Sequence, residues 1–226
     1  MEAVRCDITA YTASFRLPGM MGYQITAEVP PPSTVLGLLS AACGKDLTPD
    51  EVEWIAYRFT SAARAVDLEK IIVYTKKGPF IDSNLGTINT VPIRREFLCY
   101  PKLVLYVPLK FEDALKRPRF PICLGRSQDV ASVDLLKRTE LHTVDEAEVE
   151  GVLIPFPVQD KAPGSAILSL PTCMQQAVPR TPYAVRMFHV VTKRQRVKLE
   201  GLYLEPEEEL AVPLMTKELL LSGGAE

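Results

Sequence analysis

The sequence is poor in histidine and has no cysteine pair of the kind that holds zinc. Its 226 residues contain two histidines and five cysteines, and no two cysteines are spaced Cys-x-x-Cys. A structural zinc site needs four such ligands close together, so we expect no bound metal, and no motif for another cofactor is present. The cysteines lie in apolar or strand-like contexts, which favours buried free thiols in a reducing compartment.

Long hydrophobic runs are also missing. No apolar stretch reaches the roughly 20 residues that a membrane-spanning helix needs. The first residues, Met1–Asp7, contain no apolar signal region. We therefore expect a cytoplasmic protein with no membrane contact. Hydrophobic residues nevertheless make up 47% of the chain, which is enough for a sizeable core.

Net charge is nearly absent, but the charges are unevenly distributed. The formal net charge of −2 argues against a general nucleic-acid binder. Residues 94–138 and 180–198 are mainly basic, whereas residues 139–160 and 199–226 are mainly acidic. Alternating blocks of this kind predict one basic face and one acidic face, of which the basic face would attract a polyanion.

Residues 30–44 predict an extended lead-in followed by one short buried helix. Three consecutive prolines begin the stretch, and each fixes φ and lacks an N–H donor. The apolar side chains then recur at helical spacing, at Val35, Leu38, Leu39 and Ala42. Gly44 is placed to end the helix in a left-handed turn.

The start of this helix has features that could serve a ligand. We expect Ser33 or Thr34 to cap the first turn with a side-chain oxygen, and free N–H groups there could hold a phosphate. Gly37 is unusual inside a helix, where it costs about 1 kcal/mol relative to alanine, so we expect something to approach its backbone. An ordinary core helix is the other interpretation of the spacing.

The remaining pattern predicts an α+β fold. Strands are expected at residues 4–13, 61–76, 94–107 and 130–141, with Pro101 at an edge or a bulge. Helices are expected from a capping box at Thr48 through Phe59, and at residues 109–116. Residues 78–92 are expected to form a projecting hairpin. The order strand, helix, strand, strand, helix, strand is typical of ferredoxin-like folds, which RNA-recognition modules share.

Four motifs in order carry a family resemblance. They are Phe15-Arg16-Leu17-Pro18, Pro31-Pro32-Ser33-Thr34-x-x-Gly37-Leu38-Leu39, Arg95-Glu96-Phe97-Leu98 and Leu124-Gly125-Arg126-Ser127. Together they resemble the Cas-five family of CRISPR-associated proteins, in the repeat-associated mysterious protein (RAMP) superfamily. The resemblance covers about residues 4–140.

The resemblance implies a fold and a role. It implies a ferredoxin-like (RRM-like, RAMP) N-terminal domain over residues 1–145, with a protruding β-hairpin thumb at about 77–97, and a smaller β-rich C-terminal part over residues 146–226. It also implies a subunit of a type I surveillance complex, Cascade, that caps the 5′ handle of the CRISPR RNA. The implied protein partners are the large subunit and the first backbone subunit, with target DNA near the PAM as a further candidate.

The residues expected to bind RNA follow from these motifs. Cations, hydroxyls and small residues suit the phosphates of a single strand, and apolar residues at a thumb tip could wedge between bases. The expected RNA-binding residues are Arg16, Ser33, Thr34, Asn84, Leu85, Ile88, Arg94, Arg95, Gly125, Arg126 and Ser127.

Catalysis is the alternative that the family leaves open. The resemblance also implies that some members cut precursor CRISPR RNA themselves without a metal, and that they use a histidine, a neighbouring lysine and a tyrosine. Here His142 has no adjacent lysine and His189 lies in an apolar strand, so we expect no catalytic residue. Tyr23 with Lys116 is a conceivable catalytic pair without a histidine. A sister RAMP processing endonuclease and a metabolic enzyme on the same fold are two further classes, but neither has a supporting motif.

Overall fold

A seven-stranded antiparallel sheet forms the centre of the fold in the computed structural model, which describes residues 1–17, 22–73, 89–157, 165–175 and 181–222. In spatial order its strands are β8 (Ala131–Glu140), β1 (Glu2–Ala10), β7 (Lys102–Val107), β4 (Trp54–Thr60), β14 (Val212–Thr216), β13 (Gln195–Leu204) and β9 (His142–Val149). The predicted α+β class is confirmed, with strands predominating.

Two smaller sheets and four helices complete the described part of the chain. One sheet contains β10 (Val152–Pro155), β12 (Pro182–Val191) and β11 (Ala166–Met174), and the other contains β2 (Thr12–Ala13), β3 (Tyr23–Gln24), β5 (Ala63–Val73) and β6 (Asn89–Cys99). The helices are α1 (Pro32–Cys43), α2 (Pro49–Val52), α3 (Glu112–Lys116), which follows a 3₁₀ turn at Leu109–Phe111, and α4 (Lys217–Leu221). None of these helices is long and apolar enough to cross a membrane.

The middle strands of the central sheet are buried on both faces because two sets of mainly apolar residues alternate along them. On β1, Val4, Cys6 and Ile8 belong to the core that contains the apolar side of α1. Residues of the opposite parity, such as Val104 and Tyr106 on β7, belong to a second core built with the C-terminal strands. Side chains alternate between the faces of a strand, so one strand can serve both cores.

Helix α1 confirms the prediction for residues 30–44. The predicted apolar stripe is buried, and Gly44 ends the helix at φ 75°, with its N–H 2.9 Å from the carbonyl oxygen of Ser40. The hydroxyl of Tyr57 donates to the carbonyl oxygen of Pro30 at 2.8 Å, which fixes the proline lead-in against the central sheet.

The helix predicted from Thr48 to Phe59 is wrong beyond its first turn. The capping box of Thr48 and Glu51 is present, but α2 ends at Val52. Glu53 has φ 73°, and residues 54–60 continue as β4 in the middle of the central sheet. The helical spacing of apolar residues here also fits a strand that is buried on both faces, and sheet pairing decided between the two.

The single strand predicted over residues 94–107 is two strands. Tyr100, at φ 49°, and Pro101 separate β6 from β7. Pro101 therefore marks a change of sheet, and the expected edge position is wrong because β7 lies between β1 and β4. β5 and β6 pair antiparallel from Ala63↔Cys99 to Val73↔Asn89. The expected tip residues Asn84, Leu85 and Ile88 lie outside the described residues.

The division expected at residue 145 falls inside β9. Strands β13 and β14 belong to the expected C-terminal part, yet they extend the same sheet as β1 and β4. Ion pairs connect some of the basic and acidic blocks. Arg194 pairs with Glu148 and Glu209, and Lys137 pairs with Glu205 and Glu207, so the blocks contact one another at these points.

A buried ion cluster closes the second face of the central sheet. Arg5 donates to Asp7 and Glu205, each at 2.8 Å, and Glu205 also accepts from the hydroxyl of Tyr106 at 2.9 Å. Lys137 lies 2.8 Å from Glu205. Burial alone would raise the pKa of Asp7 and of Glu205, but these hydrogen bonds outweigh it and lower both pKa values.

Candidate functional site

A cleft of about 550 Å³ opens beside the start of α1 and brings together residues from four separated motifs. Six of the expected RNA-binding residues line it, namely Arg16, Ser33, Thr34, Arg95, Gly125 and Arg126. The rest of its wall includes residues of α1 and the end of β11. The structure therefore gathers residues from positions 16 to 126 at one place.

The start of α1 supplies the hydroxyls of the cleft. Pro31 is the N-cap residue and no described side chain caps the helix, so the expected capping by Ser33 or Thr34 is wrong. One N–H group of the first turn does have a backbone partner, because the N–H of Thr34 lies 2.9 Å from the carbonyl oxygen of Pro31. Both side chains are half-buried, and neither hydroxyl forms a hydrogen bond within the described part of the chain. Both hydroxyls are thus available to a ligand.

Arg16 supplies an uncompensated positive charge. Its backbone forms an isolated bridge with Thr26, which holds the segment next to β6. Its side chain is exposed and forms no ion pair with any described residue. A guanidinium in that setting can bind a phosphate or stack on a base.

The backbone conformation and packing of the chain require a glycine at position 125. It has φ 110°, and a Cβ atom there would lie 2.0 Å from the carbonyl oxygen of Ser14. The N–H of Ser14 in turn lies 3.2 Å from the carbonyl oxygen of Leu124. The close backbone approach expected at this glycine is therefore an approach of Ser14, and Arg16 lies in the cleft two residues further along.

Arg126 is an internal ion-pair partner. Its guanidinium donates twice to Asp129, each time at 2.9 Å, and once to Glu69 at 2.7 Å. The carbon atom of the guanidinium lies 5.6 Å from the centre of the Phe97 ring. The side chain is only 11% exposed, and the hydrogen bond to Asp129 raises the pKa of Arg126. Its charge is balanced before any ligand arrives.

Arg95 shares the same carboxylate. Its Nε atom lies 2.6 Å from Glu69, so Glu69 bridges Arg95 and Arg126 in the wall of the cleft. Burial alone would raise the pKa of Glu69, but the hydrogen bonds from Arg126 and Arg95 lower it. The two arginines and their two carboxylates, Glu69 and Asp129, sum to no net charge.

Arg94 and Ser127 lie outside the cleft. Arg94 pairs with Leu68 across the β5–β6 ladder, whereas Arg95 pairs with Asp67, so the two arginines point to opposite faces of β6. Arg94 is exposed on the face away from the cleft. Ser127 is exposed on the loop before β8. The structure thus places one of the two consecutive arginines in the cleft and excludes the other.

The candidate catalytic groups lie elsewhere on the described surface. His142 is exposed on β9, and its Nε2 atom lies 3.9 Å from Glu140. His189 is half-buried on β12, with Nδ1 3.0 Å from the hydroxyl of Ser165. The hydroxyl of Tyr23 donates to Glu96 at 2.9 Å, and Lys116 is exposed at the end of α3. Neither histidine lines the cleft.

Sequence reasoning missed the partners of the arginines and an exposed aromatic residue near the end of α1. Asp129 follows Arg126 by three residues and could have been found, but Glu69 lies 57 residues away and no local pattern connects them. Phe120, which is exposed near the end of α1, was also missed. An aromatic residue inside the basic segment Lys116–Pro121 was the available signal.

Comparisons with known proteins give a consistent picture. The family model described as CRISPR-associated protein (Cas_Cas5) matches residues 4–198. A search of curated proteins finds no match.

Among solved structures, this chain is similar to one titled "CRISPR RNA-guided surveillance complex", with TM-score 0.55, 18% identity and coverage of 88% of this chain and 91% of that chain. It is also similar to a CRISPR protein from Archaeoglobus fulgidus, with TM-score 0.52, 12% identity and coverage of 94% and 99%. A third is a type III-B Cmr-beta complex bound to cognate target RNA and AMPPnP, with TM-score 0.52, 12% identity and coverage of 89% and 86%. At these identities the similarity establishes the fold alone.

Proposed function

We propose a function from one premise, which is that this chain belongs to the Cas-five family of CRISPR-associated proteins. The protein is an RNA-binding subunit of a type I surveillance complex, and it holds the 5′ handle of the CRISPR RNA. The observation that carries this proposal is the convergence of six expected RNA-binding residues on one cleft. Structures with the same fold occur in a CRISPR RNA-guided surveillance complex and in an RNA-bound Cmr complex.

The chemistry of the cleft supports an RNA ligand. Arg16 offers a charge that no described carboxylate balances, and Ser33 and Thr34 offer hydroxyls that no described group uses. Single-stranded RNA needs such phosphate donors along a groove. Arg95 and Arg126 contribute mainly by shaping the wall, because Glu69 and Asp129 already balance them.

The fold supports the more specific assignment as well. Strands β1, β4, β7 and β8 with helices α1 and α3 follow the chain order β-α-β-β-α-β, and the strands lie in the spatial order β8-β1-β7-β4. We propose that these elements form the ferredoxin-like domain and that β5 and β6 are the legs of the thumb. The large and backbone subunits of the complex are the proposed partners, and five free cysteines favour the cytoplasm as the compartment.

We propose that the protein does not cut RNA, because neither histidine lies at the cleft. The test is to isolate the protein with its complex and determine the 5′ ends of the bound RNA. A uniform 5′ end, lost when Arg16 is changed to alanine, supports handle capping. Cleavage of a repeat RNA by the purified protein, absent in a His142→Ala or His189→Ala variant, would establish the endoribonuclease alternative instead.

A further inference from the structure

The cleft continues along α1 into a second cavity, and the two form one groove. The second cavity has a volume of about 450 Å³ and lies toward the C-terminal end of the helix. Four residues line both cavities, namely Ser33, Gly37, Ala41 and Met174. Ser33 to Gly44 spans about 16 Å of helix at 1.5 Å per residue, so the groove can hold more than one nucleotide.

The floor of the groove is low because the exposed side of α1 carries small residues. Gly37 is exposed in mid-helix, and a Cβ atom there would have no neighbour within 4 Å. The glycine therefore leaves space above the helix without being needed for packing within the described chain. The walls are the end of β11 on one side and residues 120–126 on the other.

The far end of the groove has an aromatic and apolar lining. Phe120 is 55% exposed there, and the buried side chains of Leu36 and Leu47 line the same cavity together with Cys173 and Met174. Backbone hydrogen bonds fix the aromatic residue at the end of α1, since the N–H of Phe120 lies 3.0 Å from the carbonyl oxygen of Ala41. A rigidly held and half-exposed ring is suited to stacking.

The polar side chains around this end already have partners. Ser40 donates to the carbonyl oxygen of Leu36 at 2.8 Å and accepts from the N–H of Leu47 at 3.0 Å. Lys45 pairs with Glu51, and Gln175 accepts from the hydroxyl of Thr181. A ligand in this second cavity, which we call the lobe, therefore meets apolar surface and an aromatic face. Few free hydrogen-bonding groups there could recognise the edges of a base.

We propose that this lobe is a stacking pocket for one unpaired nucleobase, with Phe120 as the stacking surface. The base belongs to the strand whose phosphates lie near Arg16 in the adjoining cleft, so the proposal rests on the proposed function. Stacking on an aromatic ring tolerates any base. Because the nearby polar side chains already have partners within the chain, we expect little sequence preference.

The test combines a protein change with an RNA change. An abasic site is moved along a short single-stranded RNA, and affinity for the full chain is measured at each position. In the wild type, one position is expected to lose about tenfold in affinity, which matches the stacking of one base. Phe120→Ala should show the same loss with intact RNA, and the abasic penalty at that position should then disappear. Phe120→Trp should bind as the wild type does.

The control is Tyr183→Ala, which removes an aromatic ring that is 65% exposed on β12, outside the groove. It should leave the affinity and the abasic profile unchanged. Because Phe120 is exposed, the melting temperature of Phe120→Ala should match that of the wild type.

The outcomes separate this proposal from the proposed function. If the wild type binds no RNA, the proposed function fails and the pocket fails with it. If Arg16→Ala weakens RNA binding but Phe120→Ala has the wild-type abasic profile, only the pocket is wrong. If Phe120→Ala binds RNA normally but no longer joins its complex, the lobe is a protein contact and the nucleobase proposal is overturned.

Discussion

Arg126 and Glu69 form an ion pair in which Nη1 lies 2.7 Å from Oε1, although 57 residues separate them in the sequence. The contact ties the loop before β8 to strand β5 and thereby to the β5–β6 hairpin. Asp129 holds the other side of the same guanidinium. Arg126, which its motif suggested as a phosphate ligand, thus connects two parts of the cleft wall.

The first prediction concerns this connection. Arg126→Ala leaves the fully buried Asp129 without its cation and leaves Glu69 with Arg95 alone, so it should destabilise the isolated protein by roughly 2–4 kcal/mol. Arg16→Ala is the matched control, and it should stay within about 0.5 kcal/mol of the wild type because Arg16 is exposed and unpaired among the described residues. Urea unfolding of both variants gives the comparison.

A result in which Arg126→Ala is as stable as Arg16→Ala would contradict the structural role. It would also restore Arg126 as a candidate phosphate ligand. If the prediction holds, a loss of RNA binding in Arg126→Ala reports a disturbed cleft wall rather than a missing phosphate contact.

The second prediction contrasts two glycines that line the cleft. Gly37→Ala should stabilise the isolated protein by about 1 kcal/mol, because the new Cβ meets open space and alanine favours the helix. Gly125→Ala should destabilise it by about 2 kcal/mol or more, since the Cβ would lie 2.0 Å from the oxygen of Ser14 and φ is 110°. Melting temperatures measure both.

RNA binding gives the second half of this test. Gly37→Ala should bind single-stranded RNA more weakly than the wild type despite its greater stability, because a methyl group raises the floor of the groove. Equal affinity would mean that the ligand does not approach α1 at Gly37. Lower stability would mean that the glycine has a packing role that the described contacts do not explain.

Sequence patterns correctly predicted the features that depend on residues close together in the chain. The α1 stripe, the left-handed Gly44, the capping box at Thr48 and the helix near residues 109–116 all depend on residues within a few positions of each other. The helix predicted through Phe59 failed because β4 is buried on both faces, and the pairing that selects a strand comes from β7 and β14. That pairing leaves no trace in the spacing of residues 52–59.

The candidate site shows the same division. Six residues of the sequence motifs line one cleft, but the motifs could not show which arginines are free. Arg94 and Arg95 are adjacent in sequence, and only the ladder with β5 determines that they point to opposite faces. The neutralisation of Arg95 by Glu69 also depends on that pairing, so composition alone overestimated the positive charge of the cleft.

The third prediction concerns acid sensitivity. The folded-state pKa values of Asp7 and Glu205 lie below the usual values of these side chains, because the hydrogen bonds from Arg5, Lys102 and Lys137 outweigh burial. Carboxyls of this kind stabilise the fold above their unfolded-state pKa, and that stability is lost as the pH falls through the folded-state pKa. The free energy of unfolding should therefore decrease from about pH 4.5 downward.

Glu205→Gln tests the origin of that decrease. The variant should be roughly 2–4 kcal/mol less stable at pH 7, since Arg5 and Lys137 lose a buried partner, and its stability should vary less between pH 5 and pH 3. Glu207→Gln is the control, because Glu207 is exposed and, among the described residues, pairs only with Lys137. An unchanged acid profile in Glu205→Gln would assign the pH dependence to other carboxyls.

The last prediction uses salt to identify the phosphate contact. Each cation that binds a phosphate contributes close to one unit to the slope of log affinity against log salt, because it releases counterions. Arg16 is the cleft arginine without a described carboxylate partner, so Arg16→Ala should lower that slope by about 1 and weaken single-stranded RNA binding at low salt. Arg94→Ala removes an equal charge from the opposite face of β6 and should leave the slope of cleft-bound RNA unchanged. Equal slopes for the two variants would mean that the RNA follows general surface charge, and the cleft would then lose its assignment as the phosphate site.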